Sequence, residues 1–384
     1  MTASALYLDH TASTPLRKGV AEAMAPHLSG ANPSAMHRPG RSARNALENA
    51  RDRVAALLGA RAREVVFCSG GTEADNLAVL GAAPERGMLT CATEHPAVRL
   101  PALSRGAKVL PPRPDGVLDP NTFRDALGKD IGFVSVMLAN NETGVLHPIA
   151  EIGKICREHD ILLHTDAAQA VGHIAVDWKT LPVDLLSFTA HKFGGPRGVG
   201  VLLVRSGVTL RPLLLGGDHE GNRRPGTENV AAAVGLAEGL DQALSGMAEE
   251  SIRLTGLRDR LLAGLREAFG DLVVHGEAAL RLPQILNLSI PGVDGSTFLV
   301  ALDQEGLAVS AGSACHTGSP DPSPVLTAMG VPAGLARSAV RLSLGHSSTP
   351  EEVAAATSIL VRIAGRLKTG SSHQKPPAGK MAPV

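Results

Sequence analysis

Through the first two-thirds of the chain, short apolar runs bounded by glycine or proline alternate with stretches whose apolar residues recur every three to four positions. That alternation predicts a doubly wound α/β sheet. Strands are predicted over 64–68, 88–92, 131–138, 161–165, 185–189 and 199–204, each about the length of a buried parallel strand and several rich in β-branched residues. Over 42–58 apolar residues fall at 43, 46, 47, 50, 54, 57 and 58, one helical face, and Gly59 supplies the stop. Pro148 opens another helix, with Ile149, Ile152 and Ile155 on one side before Asp160 breaks it. A long helical pattern around 229–268 precedes strands at 283–290 and 339–344 and a last helix. That helix carries its own start signal, Thr349 with Glu352 three residues on and Pro350 between them. The pattern predicts a large domain to about residue 250 and a smaller α+β domain after it. From Thr369 onward TGSSHQKPPAGKMAPV is too polar to offset its ordering entropy by burial, so 369–384 is expected to be a flexible tail.

Composition narrows the function classes. The 384 residues include 37 basic and 37 acidic side chains, a formal net charge of zero, and no long basic stripe, so the electrostatic footprint of a nucleic-acid binder is missing. The start MTASALYLDH lacks the basic and apolar segments of a secretory signal, and no apolar run of membrane-spanning length follows, so a soluble cytoplasmic protein is expected. Cys68, Cys91, Cys156 and Cys315 are far apart and form no CxxC, which predicts neither a zinc site nor a disulfide framework. The first three sit in apolar or helical patterns and read as core fillers. Cys315 does not. It lies among small residues in SAGSACHTG, followed by Pro320, Pro322 and Pro324, where no core buries it.

Candidate chemistry clusters where strands end. VVFCSGGTEADN, 65–76, reads as a strand, a Ser-Gly-Gly turn and a helix start at Thr72; glycines there let backbone amides approach a phosphate, although a turn without a ligand explains the pattern as well. LLHTDAAQAVG ends a strand on Asp166, with Gln169 after it, either where open α/β sheets bind ligands or as a plain turn cap. In SFTAHKFGGPRG, Lys192, one of nine lysines, follows an apolar strand rather than riding a solvated helix; such lysines form Schiff bases. CATEHPAV places His95 at a strand end before a proline, and NRRPGTEN offers Arg223, Arg224 and Thr227, a phosphate holder or a solvated basic turn. An anion cradle, a strand-end carboxylate, a sheltered lysine and an aromatic-sized base on one sheet are together what pyridoxal 5'-phosphate requires.

At this point a resemblance covers 7–366. The stretches YLDHTASTP, ANPSAMH, SGGTEADN, TEHPAV, NNETG, HTDAAQAVG, TAHKFGGPRG, RRPGTEN, SAGSACH and RLSLG, in this order, resemble those of the cysteine desulfurases and selenocysteine lyases of the class V aminotransferase group of pyridoxal-phosphate enzymes. The resemblance implies the fold type I architecture: a large domain, 14–250, with a mixed, mostly parallel seven-stranded sheet flanked by helices, and a small α+β domain from 1–13 and 251–368. It implies Lys192 as the cofactor's covalent attachment, Asp166 paired with the protonated pyridine nitrogen, Gln169 on the ring hydroxyl and His95 stacked over the ring and moving protons. Gly71, Thr72, Thr189 and His191 would hold the phosphate, with Thr227 reaching in from a second subunit of a homodimer whose active sites are shared. Asn141 and Arg341 would bind the substrate carboxylate, Arg341 through its guanidinium fork, and Asn32 and His37 lie in a motif near the site. No metal is implied.

The activity implied is conversion of L-cysteine to L-alanine, Cys315 taking the sulfur as a persulfide for an acceptor such as an iron-sulfur scaffold protein. An unperturbed thiol is only about 3% ionised at pH 7, so the site is expected to lower its pKa, through His316 or His95. The stretch ACHTGSPDPSPVL resembles selenocysteine lyases equally, which makes release of selenide from L-selenocysteine the alternative. A non-catalytic sulfur-relay or scaffold protein is the third reading. His346 in RLSLGHSST departs from the arginine of many relatives, leaving Arg341 as the expected carboxylate ligand.

Overall fold

The computed structural model describes residues 6–82, 86–311 and 322–371. Cys315 and the segment after residue 371 lie outside the described residues.

Seven strands form the main sheet in the spatial order Val65–Cys68, Gly200–Val204, Leu185–Thr189, Leu162–Asp166, Ile131–Ser135, Gly87–Cys91, Lys108–Leu110. Gly200–Val204 runs antiparallel to both neighbours and the remaining four pairings are parallel. Six of these strands match the apolar runs of the sequence. The seventh, Lys108–Leu110, escaped because it is three residues long with two of them exposed. The strands Leu185–Thr189 and Gly200–Val204 are buried throughout, as expected of near-continuous apolar runs covered on both faces.

The first long helix spans Arg38–Leu58, four residues earlier than its apolar face suggested. His37 caps it, its Nδ1 accepting from Gly40 N at 3.1 Å, and Pro39 is tolerated in a first turn whose N–H groups have no intrahelical partner. Gly59 ends it at φ 72°, as read. This helix packs along Val230–Ser245. The stretch read as one helix over 229–268 is two, Val230–Ser245 and Met247–Ala268, parted at Gly246.

A second apolar core lies around a four-stranded antiparallel sheet, ordered Ser310–Ala311, Ala339–Ser343, Ile285–Ser289, Val273–Val274. It gathers Leu257, Leu261, Leu288, Leu342 and Leu360 together with Leu8 from the start of the chain. Leu6–Tyr7 pairs in parallel with Leu307–Ala308, so the first described strand belongs to this second unit and the chain crosses to the main sheet at residues 9–14. The last helix, Pro350–Ser371, has the reciprocal cap between Thr349 and Glu352. It runs two residues past Thr369, where the tail was expected to begin. Lys368 is pinned there to Asp271 at 2.7 Å, and the Thr369 hydroxyl donates back to Arg366 O at 3.0 Å.

Candidate active site

The strands that carry chemistry all end on one side of the sheet, where open α/β folds bind their ligands. Asp166 is the last residue of its strand, Lys192 sits three residues beyond Leu185–Thr189, and His95 four beyond Gly87–Cys91. Gly71 opens the short helix that follows Val65–Cys68. The neighbouring strand must be small where this turn crosses it: a Cβ on Gly200 would lie 2.6 Å from the carbonyl carbon of Gly70.

These ends enclose a cavity of about 270 Å³. Ten of the sequence-derived candidates line it: Gly71, Thr72, His95, Asn141, Asp166, Gln169, Thr189, His191, Lys192 and Arg341. Its floor is the sheet side, built around Asp166; its rim is Arg341 with the crossing segment Thr11 and Ala12. Asn32, His37, Arg223, Arg224 and Thr227 are not brought to it: Asn32 lies on an exposed turn, where its Oδ1 accepts from Ser34 N at 2.8 Å, His37 caps the helix Arg38–Leu58, Arg223 donates to Glu220 O, Arg224 pairs with Glu73, and Thr227 is exposed elsewhere on the surface. Cys315 lies outside the described residues.

Lys192 Nζ donates to the carbonyl oxygens of Thr11, at 2.5 Å, and Ala12, at 3.1 Å. Gln169 Nε2 donates to the same Thr11 oxygen at 3.1 Å, so the chain start is tied across the site. Asp166 is almost fully buried, and Ala168 N donates to its Oδ1 at 2.8 Å. Burial pushes this carboxyl above its usual range, while His95, Ala168 N–H and Lys192 pull it back. His95 caps the helix Pro96–Ser104, its Nδ1 accepting from Ala97 N at 3.2 Å. The nitrogen that accepts cannot carry the proton, so the neutral ring holds its hydrogen on Nε2. Desolvation lowers the His95 pKa, against the attraction of Asp166. His191 falls to about 4 through burial and the nearby Lys192 and Arg197 charges, so it is neutral at pH 7.

Arg341 is 1% exposed and bridges the two units. Its Nη1 donates to Asn141 O at 2.9 Å and its Nη2 to Asp9 Oδ1 at 2.8 Å, while Nε has no partner among the described residues. A buried guanidinium with an unsatisfied N–H beside a cavity is a ready carboxylate ligand. Asp9 was missed in the sequence, as were Asp75 and Glu94, two further buried carboxyls close to Asp166. All three stand inside the motifs YLDHTASTP, SGGTEADN and TEHPAV, and that placement was the available signal.

A larger cavity, about 610 Å³, lies apart from these strand ends beside Arg51 and Glu220. Its buried carboxylate is already satisfied: Glu220 binds both Arg51 Nη atoms, at 2.7 and 2.8 Å, and Phe67 N at 3.0 Å. Glu228 also lines it, with one buried carboxylate oxygen unpartnered among the described residues, but the cavity has no lysine amine in its lining.

The sequence profile of the aminotransferase class-V family matches residues 6–355. The chain belongs to the class-V aminotransferase family. A protein of Dictyoglomus turgidum named cysteine desulfurase IscS is 43% identical over 382 residues, 96% of this chain and 97% of that relative. A solved structure described as a NifS-like protein superposes with a TM-score of 0.89 at 32% identity, over 94% of this chain and 100% of that one. Another, described as SspA in complex with cysteine, gives a TM-score of 0.78 at 32% identity, over 89% of this chain and 99% of that one. The fold is therefore that of the pyridoxal-phosphate fold type I enzymes, in a family of pyridoxal-phosphate-dependent proteins.

The donor set suits that cofactor. A primary amine, a buried carboxylate, an imidazole and hydroxyls at a helix start share one cavity, which are the groups needed to attach an aldehyde, pair a pyridinium and hold a phosphate.

Proposed function

We propose that the chain is a pyridoxal-phosphate-dependent cysteine desulfurase, converting L-cysteine to L-alanine and passing the sulfur to Cys315 as a persulfide. The observation that carries the reading is the single cavity shared by Lys192, Asp166, His95 and an Arg341 whose Nε has no partner among the described residues.

Lys192 would be the covalent attachment point, Asp166 would pair with the ring nitrogen and Gln169 with the ring hydroxyl, while Gly71, Thr72, Thr189 and His191 would hold the phosphate. Bound there, the cofactor supplies an electron sink for the charge that develops at the substrate's Cα. Arg341, steadied by Asn141 O and Asp9, receives the substrate carboxylate. The Lys192 amine, relieved of the Thr11 and Ala12 carbonyls it binds in this structure, would take the Cα proton at Nζ. His95, with Nδ1 occupied by Ala97 N–H, holds and moves its proton at Nε2. The Cys315 thiolate attacks the substrate's Sγ: an S–S bond forms, the Cβ–Sγ bond breaks, and the pair left on carbon is protonated as alanine forms.

The chain acts as a homodimer, Thr227 of each copy completing the other's site. In its own chain Thr227 is exposed and outside the cavity, and Leu213, Leu214 and Leu215, 40%, 53% and 96% exposed, form an apolar surface twelve to fourteen residues before it that a second copy would cover. The large domain spans 14–250 and the small one 1–13 with 251–368. The compartment is the cytoplasm, whose reducing poise keeps thiols such as Cys68, Cys91 and Cys156, all free, unpaired. No helix among the described residues is long and apolar enough to cross a membrane. An iron-sulfur scaffold protein is the acceptor class that fits a persulfide donor.

Alanine release from L-cysteine and from L-selenocysteine, by wild type and Cys315→Ala, tests the reading. Loss of release from L-cysteine alone in the variant supports it. Wild-type release confined to L-selenocysteine, the outcome that ACHTGSPDPSPVL also allows, overturns it in favour of a selenocysteine lyase.

A further inference from the structure

Three buried carboxyls crowd the floor: Asp75, Glu94 and Asp166, 2%, 3% and 6% exposed. A dry site does not ionise all three, because each desolvated charge repels the next. Asp166 has what an anion needs, with Ala168 N–H on its Oδ1 and the charges of His95 and Lys192 close by. Glu94 has one oxygen on Met137 N at 2.7 Å and the other without a partner among the described residues. Asp75 is bonded to the Ser187 hydroxyl. The basic group within ion-pair distance of it is His164, 3.8 Å away and fully buried, whose pKa desolvation pulls down to about 3, so it carries no charge at neutral pH.

Ser187 Oγ stands between Asp75 Oδ1 and His164 Nε2, which is 3.1 Å from it, and His164 Nδ1 lies 2.8 Å from Ser135 Oγ. A hydroxyl has one proton to give. If Asp75 is ionised, Ser187 donates to it and His164 must donate from Nε2. If Asp75 is neutral, its O–H donates to Ser187, Ser187 donates to His164 Nε2, and the imidazole proton moves to Nδ1 and is given to Ser135. A His164 proton on Nδ1 thus requires Asp75 to be the neutral acid donating to Ser187.

We propose that Asp75 is a positioning residue held as the neutral acid through Ser187 and His164, so that Asp166 alone carries the negative charge of the floor. This rests on the reading of Asp166 as partner of the ring nitrogen. Burial, reinforced by Asp166 and Glu94, raises the Asp75 pKa well above its usual range, the direction the geometry requires. Removing a repelling neighbour keeps Asp166 an anion when a cationic ring arrives.

The test uses nitrogen-15 NMR of histidine-labelled apoprotein at pH 7, with His164 assigned through His164→Gln. The expected result is His164 protonated on Nδ1, unchanged in Asp75→Asn, whose amide donates to Ser187 as the acid does. The dissociation constant for added pyridoxal phosphate should then change less than about threefold in that variant, whereas losing a true anion there would shift it about tenfold or more. A proton on Nε2 in wild type, moving to Nδ1 in Asp75→Asn, overturns the proposal. Should the variant not fold, the wild-type spectrum decides by itself. Because the tautomer is read without cofactor, its outcome is independent of whether the chain binds one.

Discussion

The floor of the site and its rim are held by different means. The floor is written into consecutive strands: Asp166 ends one and Lys192 follows three residues after its parallel neighbour, so their spacing is set by the sheet. The rim is a meeting of distant segments, with Arg341 from the second unit joined to Asp9, 332 residues away, and to Asn141 O. The difference separates two jobs. A rigid floor suits groups that must meet a fixed ring, while a rim made by two packed units suits binding of substrates that come and go.

Four changes sharpen or break that division. Lys192→Ala removes both the attachment point and the Cα base, and alanine release should fall by at least about a thousandfold. Asp166→Asn keeps the shape of the floor but removes its charge, and should lower kcat by about a hundredfold or more with little change in KM. Arg341→Ala acts on the rim: losing a charge-assisted hydrogen bond should raise KM for L-cysteine about ten- to hundredfold, with kcat less affected. Equal effects of the last two on both parameters would contradict the division. The mildest is Asp9→Asn, which keeps an acceptor for Arg341 Nη2 but removes the charge that steadies it, and should raise KM up to about fivefold.

Glu142 marks the seam between the regions. It is nearly fully buried, and its Oε2 accepts from the Ser323 hydroxyl at 2.5 Å. Burial raises its pKa to about 7, against the pull of Ser323 and Arg341. A carboxyl whose folded pKa exceeds its unfolded value costs no stability at low pH; the cost grows as pH rises above the unfolded value and is complete above the folded one. Between pH 4.5 and 7 wild type should therefore lose about 3 kcal/mol of unfolding free energy through this residue, and Glu142→Gln should flatten that slope. Equilibrium denaturation at the two pH values checks it.

Lys192, Asp166 and His95 were legible because each follows an apolar run whose period marks a strand, and strand ends in such sheets share one side. The contact of Asp9 with Arg341 was not, since no local period encodes a pairing across 332 residues. Asp75 escaped for another reason: it stands in a six-residue helix, too short for a period to show which side chains turn inward. The split at Gly246 was hidden because apolar spacing runs on across it, and the edge strand Lys108–Leu110 is too short to carry alternation. Asn32 and Thr227 belong to legible motifs, yet the chain alone leaves them at its surface.

The central claim is that Lys192 carries the cofactor above Asp166. Borohydride reduction of the holoenzyme followed by peptide mapping tests it most directly. A pyridoxyl adduct on the peptide containing Lys192, and its loss in Lys192→Ala, is the predicted result; an adduct on another lysine, or none, contradicts the account.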